Sequence, residues 1–273
     1  RQVHKNKHTR IIAITDNVIP HEKRPGDKPF TRYFLNSCDA YITMSEKVMQ
    51  DLRSFQPSRP ARRVNHPLYD NFGEPIPKTT ARAILREKGI PIGDTDKVVL
   101  FFGFIRQYKG LDIALEAMAD ERVRSAGIKL LVAGEFYENE APYRDLIGRL
   151  GIRDALLLRT DFIPDSEVRA YLCAADAVIQ PYRNATQSGV TPLAYHFERP
   201  MIVSDVGGLP ALVPHGKVGL VAAPEPGAMA AAILEFFRTG EAPFLPFLRA
   251  EKEKYSWSRL VDTILDLCQH ISN

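Results

Sequence analysis

Cysteines, long apolar runs and glycine-rich dinucleotide motifs are all scarce or missing in this sequence. Three cysteines occur in 273 residues, Cys38, Cys173 and Cys268. They lie far apart and lack metal-ligand spacing, so we interpret them as reduced residues of a cytoplasmic protein. No apolar run approaches the roughly 20 residues that span a bilayer. No Gly-x-Gly-x-x-Gly follows a predicted strand, which disfavours an ordinary dinucleotide oxidoreductase.

The net charge of the chain is small as well. The formal net charge is +3, the pI is about 8.7, and lysine and arginine are dense only within residues 1–10. We therefore expect no nucleic-acid partner. The composition is ordinary for a globular protein, and the length favours two domains, or one domain and part of another. Because the chain begins at Arg1 without a methionine or a signal peptide, we expect it to be the later part of a longer protein.

The clearest pattern is a strand, a polar loop and a helix near the middle of the chain. The apolar run at 97–102, which ends at Gly103, predicts a strand buried on both faces of a parallel sheet. After Gly110 the apolar residues recur at helical spacing, and they are Leu111, Ala114, Leu115 and Met118.

Two cations lie in the loop of this unit, Arg106 and Lys109. The carboxyl end of a central strand is where open α/β sheets bind ligands, and a helix N-terminus favours phosphate. We therefore interpret the loop as a site for a phosphate-bearing ligand. The alternative is that both cations are solvated loop residues.

The remaining pattern predicts two α/β parts. Up to about residue 75, three short strands alternate with two helices, which is part of a doubly wound domain whose other strands would lie upstream of Arg1. After a linker at 70–80, strands recur roughly every 25–30 residues with helices between them, as in a parallel sheet with right-handed crossovers. A last helix from Ser258 carries one apolar stripe, Leu260, Ile264, Leu267 and Ile271.

Seven segments resemble, in order and spacing, the family-4 retaining glycosyltransferases of the GT-B fold, and they cover essentially the whole chain. Asn17–Glu22 and Asp39–Ser45 resemble the end of that family's N-terminal domain. Five segments resemble its C-terminal half: Phe101–Asp112, Leu130–Tyr137, Asp161–Val168, Pro181–Tyr195 and Pro200–Leu209.

The resemblance implies an α/β architecture of two Rossmann-like domains, each with a doubly wound parallel sheet, the N-terminal one incomplete. We expect residues 1–75 to be the C-terminal part of the acceptor-side domain and residues 76–256 to bind the nucleotide-sugar. Residues 257–273 are expected to form a helix that crosses back to the N-terminal domain. The donor and the acceptor would meet in the cleft between the domains.

The resemblance also implies a role for the cationic loop. Arg106 and Lys109 are expected to bind the donor diphosphate, with Gly103 and Gly110 bounding their loop. The chemistry agrees, because negative charge grows on the leaving nucleoside diphosphate and preorganised cations stabilise it. The family's arginine often follows the first glycine directly, whereas this chain has Phe104 there.

A second donor contact is implied where the next helix is predicted to start, at Gln187, Ser188, Gly189 and Val190. Ser188 is predicted to be the N-cap, and Gly189 lets a ligand approach the backbone closely. The N–H groups of the first helical turn have no intrahelical partner and can bind a ligand. The alternative is ordinary helix capping.

Three further roles have structural alternatives. The backbone at Phe162 and Ile163 is expected to contact the nucleobase, and the alternative is that both side chains pack in the core. Gly207 and Gly208 line the sugar pocket or only turn the chain. His21 is expected near the reacting sugar as a catalytic candidate, together with the two cations, and its alternative is an exposed loop histidine.

The chain departs from the family at three acidic positions. Many members carry two glutamates eight positions apart, one near the donor sugar and one on the ribose, where this chain has Thr186 and Ala194. A glutamate often follows Gly-Gly-x-Pro, and Ala211 stands there. The departures concern the donor contacts and not the fold.

The expected function is that of a hexosyltransferase-type enzyme in polysaccharide biosynthesis, which moves a sugar with retention from a nucleotide-sugar donor to a glycan or lipid-linked acceptor. No cofactor and no essential metal ion are expected, because cations and helix N-termini stabilise the leaving group. We expect a cytoplasmic protein at the inner face of the membrane, with peripheral membrane contact through the segment upstream. Two alternatives stay open: a GT-B nucleotide-sugar epimerase, and a non-catalytic module that binds nucleotide-sugar.

The expected shortness of the N-terminal domain can be tested directly. Residues 1–273 alone should bind nucleotide but transfer little or no sugar, because the acceptor side would be built from strands upstream of Arg1. Transfer from a radiolabelled nucleotide-sugar, compared between this chain and the longer protein, measures the difference. Equal rates would place the whole active site within these residues and contradict the prediction.

Overall fold

The computed structural model describes residues 9–19, 25–68, 70–185 and 188–272. The chain divides into two compact units: unit 1 contains residues 1–68 and 253–273, and unit 2 contains residues 69–252. These boundaries fall a few residues before the expected ones at 75 and 256. Both units are α/β with parallel sheets, as predicted. Their roles as acceptor side and donor side stay predictions.

Twenty-one helices and strands, besides short 3-10 turns, are defined within the described residues. None of these helices combines the length and the apolar character needed to cross a membrane. In chain order they are β1 (Ile12–Thr15), α1 (Asp27–Asn36), β2 (Ala40–Thr43), α2 (Glu46–Phe55), β3 (Ala61–Arg63), α3 (Lys78–Glu87), β4 (Lys97–Phe102), α4 (Leu111–Met118), α5 (Glu121–Ser125), β5 (Ile128–Ala133), α6 (Ala141–Leu150), β6 (Leu156–Arg159), α7 (Asp165–Ala174), β7 (Ala177–Gln180), α8 (Val190–His196), β8 (Met201–Ser204), α9 (Leu209–Leu212), β9 (Gly219–Ala222), α10 (Pro226–Thr239), α11 (Leu245–Lys252) and α12 (Trp257–Ser272).

Unit 1 is a three-stranded parallel sheet, in the order β1-β2-β3, with apolar clusters on both faces. Successive strand residues point to opposite faces, so Tyr41 of β2 packs with Leu52 of α2 while Ile42 packs with Leu260 and Leu267 of α12. The apolar stripe predicted for the last helix is therefore confirmed. It anchors α12 to this sheet.

Unit 2 is a six-stranded parallel sheet in the order β6-β5-β4-β7-β8-β9. β4 pairs with β5 along its whole length, from Lys97 opposite Ile128 to Phe102 opposite Ala133, and it pairs with β7 on its other side. All residues of β4 except Lys97 are buried, which confirms the predicted central strand. Three short helices, α5, α9 and α11, were not predicted from the sequence.

The strand order of unit 2 creates a crevice beside β4. The chain first builds outward from β4 through β5 to β6, and it then returns to place β7 on the other side of β4. At such a reversal the flanking loops diverge, which leaves space at the carboxyl ends of the two central strands. The loop that carries Arg106 and Lys109 begins at this place.

A buried arginine fixes the amino-terminal side of unit 2. Arg82 of α3 is only 1% exposed, and its guanidinium donates to the carbonyl oxygens of Ala174 (3.0 Å), Gly93 (3.0 Å) and Asp94 (2.7 Å). It also lies 3.4 Å from the carboxylate of Asp176. The side chain therefore joins α3 to the end of α7 and to the loop before β4.

Replacing Arg82 should destabilise unit 2 strongly. Arg82→Met keeps an apolar stem but leaves three carbonyls and part of a carboxylate without a donor, and losing one partner of such a buried pair costs about 3–5 kcal/mol. Urea unfolding measures the change. Arg86→Met, one turn later on α3, removes an exposed pair with Asp94 and one hydrogen bond to the Ile92 carbonyl, and it should cost only about 1–2 kcal/mol. Equal losses in the two variants would contradict the assignment.

Candidate functional site

The loop after β4 runs from Gly103 to Gly110, and both glycines have positive φ, +88° and +67°. A 3-10 turn at Gln107–Lys109 leads directly into α4. A Cβ atom at Gly110 would lie 2.0 Å from the carbonyl oxygen of Pro181, which follows β7. Only glycine permits this approach, so the loops of β4 and β7 touch backbone to backbone at the crevice.

Three of the predicted site residues, Gly103, Lys109 and Val190, come together at the carboxyl end of β4. A Cβ atom at Gly103 would lie 3.5 Å from Lys109 Nζ and 3.8 Å from Val190 Cγ2. The ring centroid of Tyr182 lies 6.0 Å from the same Nζ. Since residue 103 has no side chain, the ammonium group lies beside bare backbone at the end of the central strand.

The electrostatics of this loop favour an anionic ligand. Burial lowers the pKa of Lys109 from its usual 10.5 to about 8, and the positive charge of Arg106 contributes in the same direction. No carboxylate in the described parts of the chain forms an ion pair with either cation. Two like charges held close without a counter-ion are stabilised by a bound anion.

Arg106 lies against an aromatic ring from the loop after β5. Its Cζ atom is 4.3 Å from the ring centroid of Tyr137, and Phe104 meets the same ring edge-on at 5.1 Å. Two backbone hydrogen bonds join the loops, from Ile105 N–H to the Glu135 carbonyl (2.8 Å) and from Tyr137 N–H to the Ile105 carbonyl (3.1 Å). The loops after β4 and β5 therefore form one surface.

A charged pair ties the loop after β7 to α4. The Arg183 guanidinium binds both carboxylate oxygens of Asp112 at 2.7 and 2.5 Å, and its backbone N–H donates to the Tyr108 carbonyl at 2.7 Å. Bidentate arginine–carboxylate pairs fix geometry as well as charge. Asp112 is therefore paired away from the two cations of the neighbouring loop.

The second predicted contact lies at the start of α8. The Ser188 hydroxyl lies 3.1 Å from the Tyr182 hydroxyl and accepts from Val190 N–H at 3.2 Å. Gly189 stands directly before α8 with a backbone that is already close to helical, and the hydroxyl that accepts from the first helical turn is that of Ser188, as expected of a capping serine. Burial raises the pKa of Tyr182 well above its usual value. Gln187 lies outside the described residues.

The other predicted residues lie on loops at the same edge of the sheet. Ile163 is buried, 8% exposed, whereas Phe162 is 59% exposed, so only the Ile163 side chain packs in the core. The expected backbone contact of both residues with the nucleobase stays a prediction. A Cβ atom at Gly207 would lie 1.6 Å from the Ala185 carbonyl oxygen, to which Gly208 N–H donates at 3.1 Å. Glycine at 207 is thus required by the turn, and the sugar contact of both glycines stays a prediction.

His21 and Thr186 lie outside the described residues, so their roles stay predictions. Ala194, on α8, is fully buried, so a carboxylate at this position would have to displace packed neighbours. Within residues 9–19, 25–68, 70–185 and 188–272, no three His, Cys, Asp or Glu side chains are grouped to hold a metal ion. The expectation of a reaction without a metal ion remains untested.

Sequence reasoning missed Tyr137 and Tyr182, which line the two cations. Tyr137 lies at the end of the segment Leu130–Tyr137 that carries the resemblance, and Tyr182 directly follows the proline after β7. Both tyrosines follow predicted strands, which is a usable signal, since the carboxyl ends of parallel strands meet at one edge. The sequence alone does not indicate which cation each ring contacts.

The family is identified by sequence comparison. Residues 96–239, just over half of the chain, match the family model described as glycosyl transferases group 1. The chain is 27% identical to the D-inositol 3-phosphate glycosyltransferase of Corynebacterium urealyticum, over 98% of this chain and 65% of that protein. It is 26% identical to the alpha-D-kanosaminyltransferase of Streptomyces kanamyceticus, over 71% of this chain and 49% of that enzyme.

Solved structures agree on the fold. Sucrose-phosphate synthase from Thermosynechococcus elongatus superposes with a TM-score of 0.74 at 18% identity, over 99% of this chain and 70% of that one. Anabaena HepE in complex with UDP gives a TM-score of 0.74 at 17% identity, over 96% and 71%. The predicted GT-B fold is confirmed. Since the family model matches more than half of its length, the chain belongs to the glycosyl transferases group 1.

Proposed function

We propose that this protein is a glycosyltransferase that moves a sugar from a nucleotide-sugar donor to a glycan or lipid-linked acceptor, with retention of configuration at the sugar. The observation that carries the proposal is the pair of cations, Arg106 and Lys109, at the carboxyl end of β4. They lie where the strand order reverses, and Lys109 is partly desolvated. A diphosphate is the anion that suits two adjacent cations with one bidentate donor.

Relatives and neighbours support the donor class. The curated relatives quoted above are named as glycosyltransferases, and Anabaena HepE has been solved in complex with UDP-glucose. The matched region includes every residue of the cationic loop. The acceptor and the retention of configuration rest on the resemblance alone. The absence of an essential metal rests also on the two cations of the loop, and the cytoplasmic location on the scarce, widely spaced cysteines.

The proposed chemistry assigns one task to the two cations. The bond between the anomeric carbon of the sugar and the diphosphate oxygen breaks, while a bond to the acceptor oxygen forms on the same face. The acceptor proton leaves with the nucleoside diphosphate. Negative charge grows on the oxygen that departs, and Lys109 and Arg106 stabilise it without needing to reorganise.

A non-catalytic module that binds nucleotide-sugar is the second candidate. It is favoured by Ala194, which is fully buried where the family carries a ribose-binding glutamate. Incubation of the longer protein, rather than residues 1–273 alone, with UDP-glucose, GDP-glucose or ADP-glucose separates the candidates. Transfer or hydrolysis supports the enzyme, an epimeric nucleotide-sugar formed without acceptor indicates an epimerase, and binding without turnover indicates the module.

Removing the Lys109 ammonium should weaken diphosphate binding. Lys109→Ala deletes a charged hydrogen-bond donor, so affinity for UDP, GDP or ADP, whichever binds the wild type most tightly, should fall by roughly 1.5–3 kcal/mol. Calorimetric titration measures it. Lys97→Ala, at the other end of β4, is the matched control and should bind like the wild type. Unchanged affinity of Lys109→Ala would exclude Lys109 from the phosphate site.

The same affinity should depend on pH. A bound diphosphate favours the charged form of Lys109 and raises its pKa above the free value of about 8. Above pH 8 the free protein has lost the Lys109 proton and must take it up again when the diphosphate binds. The affinity for the diphosphate should therefore fall about tenfold between pH 7 and pH 9. In Lys109→Arg the charge persists throughout this range, and the pH dependence should disappear. A wild-type affinity that is flat from pH 7 to pH 9 would contradict the assignment.

A further inference from the structure

The electrostatics of the loop after β4 do not favour a position of the Arg106 guanidinium beside Lys109. Its charge repels Lys109, and no carboxylate among the described residues pairs with it. An arginine side chain gives up considerable rotamer freedom when it is fixed, so an unrestrained guanidinium would turn away from Lys109 into water. Something else must hold it beside the lysine if both cations are to bind one diphosphate.

The ring of Tyr137 supplies that restraint. The guanidinium carbon lies 4.3 Å from the ring centroid, within the roughly 6 Å range of cation–π attraction. The negative face of the ring attracts the positive charge without cancelling it. Because a ring face attracts the charge without supplying lone-pair acceptors as a carboxylate does, the N–H donors of Arg106 that point away from the ring remain available to phosphate oxygens. A carboxylate partner would instead have occupied those donors and neutralised the site.

The loop that carries Arg106 also holds the Tyr137 ring in place. Tyr137 N–H donates to the Ile105 carbonyl, the residue before Arg106, and Phe104 contacts the ring edge-on at 5.1 Å with an interplanar angle of 73°. Both rings are exposed, Tyr137 by 60% and Phe104 by 42%, so burial in the core does not account for their arrangement. Residues 104–106 and Tyr137 therefore hold one another through backbone and ring contacts, and Arg106 is the cation that they carry.

We propose that Tyr137 is a positioning residue that holds Arg106 by its ring face, so that the N–H donors of Arg106 face the diphosphate beside Lys109. The inference rests on the proposed function, because it needs a diphosphate at this loop. The tyrosine hydroxyl has no part in it. The aromatic ring is the required feature.

Calorimetric titration of the intact chain with UDP, or with GDP or ADP if either binds the wild type more tightly, tests the inference. Tyr137→Leu should weaken binding about two- to fivefold, the loss expected for an exposed cation–π contact. Tyr137→Phe keeps the ring face and should bind like the wild type. Phe247→Leu, which changes an exposed aromatic residue on α11 in the same unit, is the control for general effects.

A double-mutant cycle separates positioning from structure. In an Arg106→Ala background, Tyr137→Leu should have no further effect, because the ring acts only through the arginine. An equal loss with and without Arg106, or a loss in Tyr137→Phe as large as in Tyr137→Leu, would overturn the inference while leaving the diphosphate site intact. If Lys109→Ala also binds like the wild type, the diphosphate lies elsewhere, and the proposed function falls together with the inference.

Discussion

The repulsion between two neighbouring cations is the constraint on which the site depends. Arg106 and Lys109 are held close together, and the charge of Arg106 adds to the larger effect of burial in lowering the pKa of Lys109 to about 8. The surrounding contacts offset the repulsion between the two cations without neutralising either charge. One tyrosine ring faces each cation, and the nearest acidic side chain of α4, Asp112, is bound to Arg183 instead. The result is a positive site that a bound anion would stabilise.

The architecture and the cationic loop could be predicted from the sequence, because both depend on local patterns. Buried parallel strands are continuous apolar runs, and the glycines at 103 and 110 mark the ends of the loop between strand and helix. The family resemblance named the same two cations. These predictions required no knowledge of which strands are neighbours.

What could not be predicted depends on contacts between distant loops. Tyr137 and Arg106 are far apart in sequence and meet only because β5 pairs with β4. Phe162 and Ile163 are both apolar, and only the packed structure distinguishes the exposed residue from the buried one.

The contact between Gly110 and the Pro181 carbonyl has a consequence for how such a site can change over evolutionary time. Because the two loops touch through backbone atoms, the spacing between them does not depend on the side chains that either loop carries. A change of side chain at residue 104 or 106 therefore leaves this backbone contact in place, so the frame of the crevice and the groups that line it can be altered separately.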